Sequence, residues 1–89
     1  MTIIPYITER DREFFDKSLQ EIVNDLATAG DLNYCITVLC NKFLNEIRYA
    51  NLNEVIGCLE CAKLEFYRRM VAPYEDIKSR QNGDVYNNV

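Results

Sequence analysis

The run from Asn51 to Asp76, NLNEVIGCLECAKLEFYRRMVAPYED, constrains this chain more than any other stretch. Leu52, Val55, Ile56, Leu59, Phe66 and Met70 return at three- and four-residue spacing, which places apolar side chains on one face of a helix. From Val55 to Ala72 such a helix would extend about 27 Å at roughly 1.5 Å per residue, enough to cross a small domain. Pro73 has no N–H to give to the carbonyl of Arg69, so the third helix is expected over residues 51–80 with a kink at Pro73. Gly57, Cys61 and Leu64 form a second stripe that ends at Arg68. A glycine inside a helix costs about 1 kcal/mol relative to alanine, a cost that is understandable where another helix approaches closely. A homo-oligomer is therefore expected, although a helix at the centre of a monomer would show the same two stripes.

Two shorter helices precede it. Thr8 with Asp11 three residues on is close to a capping box and opens helix one, placed at residues 8–29, with Phe15, Leu19, Ile22, Val23 and Leu26 as its apolar stripe. Gly30 is read as the left-handed residue that ends it, and Asp31 as the N-cap of helix two, residues 31–49. Leu32, Cys35, Ile36, Leu39, Phe43 and Ile47 make the expected buried stripe of that helix, and Val38, Cys40 and Leu44 widen it beyond what one partner helix can cover. The short link Tyr49-Ala50-Asn51 would set helices two and three antiparallel, with Asn51 and Glu54 as a cap pair. Residues 1–7 are read as an extended apolar arm bent by Pro5, and residues 81–89 as a tail begun by the Asn82-Gly83 turn. The fold expected is thus a single all-α domain: a small three-helix bundle, or a helical hairpin with a long Pro-kinked third helix.

An 89-residue chain buries only about 60 to 65 % of its unfolded surface, so self-association would help it. Its net charge of −4 disfavours holding duplex nucleic acid by the phosphates. No run approaches the roughly 18 to 20 apolar residues of a membrane span, and MTIIPYITERDRE has neither a basic leader nor a signal-peptide core, so a cytoplasmic protein is expected. Cys58 and Cys61 have the spacing of a zinc knuckle, but they and the Cys35/Cys40 pair fall inside helical patterns, and Cys35 and Cys40 do not converge. Reduced, largely buried thiols are expected, with no metal and no cofactor. The chain has no histidine, no glycine-rich phosphate loop and no nucleophile elbow. Glu54, Glu60 and Glu65 point in different directions along one helix, and a cysteine nucleophile would lack its base. An enzyme is not expected.

The candidate ligand site is Lys63, Tyr67, Arg68 and Arg69, with Tyr74 just beyond Pro73. Guanidinium forks and an aromatic face are the equipment for phosphate or carboxylate and for stacking on a base. Asn33 and Tyr34 join it as candidates, since the start of a helix leaves backbone N–H groups open to an anion. Tyr6 on the arm is a further candidate to close such a site. Against these readings, Glu65 lies one turn from both arginines and could simply pair with them.

The segment LNYCIT at Leu32 to Thr37, the run LNEVIGCLECAKLEFYRRMVAPYED, and NGDVY at Asn82 to Tyr86 together resemble a family of small phage-encoded helical proteins without an assigned activity, over roughly Gly30 to Tyr86. The resemblance implies a viral accessory protein acting inside a bacterial cell, and implies that Val85 and Tyr86 dock on the body of the chain or on a symmetry mate. Three functions are compatible with these features. The leading one is a non-enzymatic counter-defence protein that sequesters an anionic small molecule, such as a nucleotide signal, at subunit interfaces. The others are an interaction module that inhibits or redirects a host protein, and a structural or assembly factor.

Overall fold

The computed structural model describes residues 7–86, and Tyr6, with the arm before it, lies outside them. All regular structure among the described residues is helical, as expected. The chain divides into two units, Met1–Asn41 and Lys42–Val89.

The first unit carries α1, Glu9–Asp25, and most of α2, Ala29–Phe43. Thr8 caps α1 as expected, its hydroxyl accepting the Asp11 N–H at 3.2 Å, and Glu9 and Asp11 sit in the first turn, where carboxylates oppose the helix dipole. The helix ends at Asp25, five residues short of the glycine expected to stop it. Leu26 is extended and turns its N–H back to the Val23 carbonyl, and Gly30 lies within the first turn of α2 with no left-handed backbone. Asp31 is not the N-cap either. Thr28 holds that place and accepts the Asp31 N–H at 3.1 Å, while the Asp31 carboxylate accepts the N–H groups of Thr28 at 3.1 Å and Ala27 at 2.8 Å. This is a capping box with an extra bond, and it puts the cap at Thr28, three residues before Asp31.

The second unit is dominated by one continuous helical path. α2 stops at Phe43 rather than Tyr49; past that end the Arg48 N–H goes to the Glu46 carbonyl at 2.9 Å rather than four residues back to Leu44, and the Asn51 side-chain amide gives to the same carbonyl at 3.1 Å. Those bonds offer the backbone an alternative to another helical turn. Ile47, expected on the stripe of helix two, therefore lies in the link and is 86 % exposed. Arg48, in extended conformation, precedes α3, Tyr49–Phe66, so Tyr49 and Ala50 open the helix instead of linking it, and Asn51 secures the link rather than capping with Glu54.

At Pro73 the interruption takes the form of a π-helical turn, Tyr67–Val71, followed directly by α4, Ala72–Asn82. The Ala72 N–H reaches five residues back to the Tyr67 carbonyl. Widening the turn before the proline eases its ring past the preceding carbonyls while the path stays helical. α4 ends where the Asn82-Gly83 signal placed the stop: Gly83 has φ of 86° and gives its N–H to the Ser79 carbonyl at 2.9 Å.

The expected buried stripes are not buried. Among the described residues no side chain of any kind is fully enclosed, and Phe15, Leu19, Leu39, Ile56 and Phe66 all face solvent. Cys58 and Cys61 are exposed free thiols, against the expectation of burial, whereas Cys35 and Cys40 are half-buried. Val85 and Tyr86 are also exposed rather than docked. A helix in water is marginal without an apolar face to bury, so this architecture lacks the element that ordinarily holds helices in place.

Candidate functional site

Five of the proposed ligand residues, Lys63, Tyr67, Arg68, Arg69 and Tyr74, share the α3–π–α4 path, where they form separate networks rather than one. Glu65 accepts from Arg68 Nη2 at 2.8 Å and from Arg69 Nε at 3.1 Å. The Arg68 bond, and then the Arg69 bond, hold the Glu65 carboxyl below its ordinary pKa. Lys63 pairs with Glu60 at 3.4 Å. The Tyr67 hydroxyl donates to Glu75 Oε1 at 2.6 Å across the π turn, and that bond, with the carboxylate's charge, raises the phenol's pKa. Tyr74 lies beneath the Lys78 ammonium, 5.6 Å from the ring centroid.

All of these contacts are exposed, where water and salt screen them. The arrangement orders side chains without committing them strongly. Two guanidinium groups on one carboxylate show that both arginines reach a common point, and an incoming anion would have to take the place of Glu65 there.

Asn33 and Tyr34 belong to the other unit. Tyr34 lines a shallow cavity of about 360 Å³ at the joint of α1 and α2, together with Ile22, Asp25, Leu26, Asp31 and Cys35. Asn33 is not on its wall. The anion expected at the start of α2 meets an occupied position, since the Asp31 carboxylate already takes the Ala27 and Thr28 N–H groups. Those bonds, Ala27's the larger effect, lower the Asp31 pKa. With Asp25 opposite, the cleft is acidic and partly apolar. Its signal in the sequence is the Thr28-x-x-Asp31 spacing, which marks Thr28 rather than Asp31 as the cap.

Among the described residues no group of three or more His, Cys, Asp or Glu is placed to hold a metal ion, and no helix is long and apolar enough to cross a membrane. Neither the curated proteins nor the solved structures contain a match to this chain. A match does come from a domain of unknown function, DUF6899, and it extends over residues 4–85, nearly the whole chain. The chain belongs to the DUF6899 family.

Proposed function

We propose that this protein is a non-catalytic accessory protein that acts by association, its helices completing an apolar core only against another polypeptide. The observation that carries this reading is the exposure of every apolar stripe: α1, α2, α3 and α4 each present large apolar side chains, and no described residue is buried. An exposed apolar surface of that extent is the mark of an interaction site. The bundle expected from the sequence forms part of the proposal, as does action in the cytoplasm of a phage-infected bacterium, for which the motif resemblance is the support. Thermal unfolding by circular dichroism over a dilution series tests it. A midpoint that rises with protein concentration, or a broad non-cooperative loss of helix in the absence of a partner, is expected. A sharp transition independent of concentration would refute it.

A second reading, sequestration of an anionic small molecule such as a nucleotide signal, draws support from the convergence of Arg68 and Arg69 on Glu65. Calorimetric titration with cyclic and linear nucleotides tests it against the double substitution Arg68→Ala with Arg69→Ala. Binding that the double substitution abolishes, with assembly intact, is its expected signature. An absence of heat across the panel would leave association alone.

A further inference from the structure

The α3–π–α4 path carries an uncharged seam with the spacing of a coiled coil. Before the π turn, Leu52, Val55, Leu59, Ala62 and Phe66 alternate at three and four residues, the a and d positions of successive heptads. Met70, within that turn, and Tyr74 and Ile77 beyond it continue the seam. The step from Phe66 to Met70 is one residue longer than a heptad requires, and it falls inside the π turn Tyr67–Val71. A π turn takes up an extra residue, so the heptad pattern continues past Pro73. From Leu52 to Ile77 the seam extends about 38 Å at roughly 1.5 Å per residue. Leu59, at 38 %, and Phe66, at 62 %, are both open to solvent.

We infer that the seam is covered by the same seam of a second copy of this chain. The inference rests on the association reading and names the partner. Charge selects the occupant. Beside the seam, Lys63 is matched by Glu60 and Glu65 by Arg68 and Arg69 on the same helix, so the flanks neither demand an oppositely charged partner nor repel a copy. Residues 42–89 carry seven basic and seven acidic side chains, whereas residues 1–41 carry three basic and seven acidic. Two copies can therefore meet along α3 and α4 without the repulsion that α1 would meet against itself. Eight seam positions without a charge form a core stripe of nearly four heptads, the length at which such a pattern specifies a coiled coil.

Native mass spectrometry of the full chain across a concentration series tests this, on the wild type and on Leu59→Asp, Met70→Asp and Leu64→Asp. The first two place a carboxylate in the seam before the π turn and within it, and the third places one on the opposite face of α3. The wild type and Leu64→Asp are expected at a discrete multiple of the chain mass. Leu59→Asp and Met70→Asp should raise the concentration of half-assembly on the order of 100-fold, since a packed seam cannot hydrate the added charge. Assembly lost in Leu64→Asp and kept in the two seam variants would overturn the inference in favour of the Gly57, Cys61 and Leu64 stripe. A wild type that stays monomeric and unfolds without cooperativity would overturn it and leave the association reading standing. A monomer that unfolds cooperatively would overturn both.

Discussion

At the level of single residues, polar side chains set where α1 and α2 begin. The α1–α2 joint depends on Thr28 and Asp31, which exchange backbone and side-chain bonds and draw in the Ala27 N–H as well. Thr28→Ala should cost about 1 kcal/mol of helix stability, read as faster amide exchange at Asp31 and Leu32. Asp31 titrates below its ordinary value of 3.8. Its contribution is therefore complete above that value and is lost as pH falls through the lower folded pKa. The Ala27 and Thr28 amide shifts should follow an acid midpoint below 3.8, and a midpoint at the ordinary value would mean that the carboxylate does not hold them. Tyr67 behaves in the opposite sense. Glu75 raises its pKa above 10.0, so the hydroxyl's contribution is complete below the ordinary phenol value and disappears as pH rises through the folded one. In an ultraviolet titration the difference between wild type and Tyr67→Phe should be a phenol that ionises above 10.0.

Helix ends and the π turn show what the sequence could and could not convey at the scale of elements. Gly83→Ala is the clearest prediction here. With φ of 86° and ψ of 152°, Gly83 occupies a region open essentially to glycine alone, and an alanine should cost on the order of 1–3 kcal/mol and fray α4 back towards Ser79. Unchanged amide protection at Gly83 would show that this conformation is not required. That stop was legible because Asn-Gly is a local signal. The Thr8 cap was legible for the same reason. The end of α2 was not: Leu44 and Ile47 continue an apolar spacing, and what the spacing does not show is that the Arg48 N–H and the Asn51 side-chain amide both go to the Glu46 carbonyl instead of extending the helix. Periodicity records which residues would suit a helix and carries no sign of a competing carbonyl. Pro73 announced an interruption but not its form, since a kink and a π turn satisfy the same missing donor. The candidate site was legible in part. Arg68 and Arg69 do converge, but Tyr67 turns towards Glu75 and Asp31 fills the N-terminus of α2, because the nearest acidic group competes for each.

For the whole molecule, the apolar patterns that identified the helices also identify what is missing. Stripes of the kind formed by Leu52, Leu59 and Phe66 are normally read as a core, yet none of them is enclosed, and most of a helix's stability in a protein comes from packing such a face. The proposed association would account for both the pattern and its exposure, and the charge balance along α3 and α4 is what admits a copy of the chain as the partner. Amide hydrogen exchange at two protein concentrations about 100-fold apart tests this most directly, since stabilisation by a bound copy follows mass action. Protection along Tyr49–Asn82 that is strong in the concentrated sample and lost in the dilute one is expected. Equal protection of that helix at both concentrations would contradict the claim that its apolar face is completed between chains.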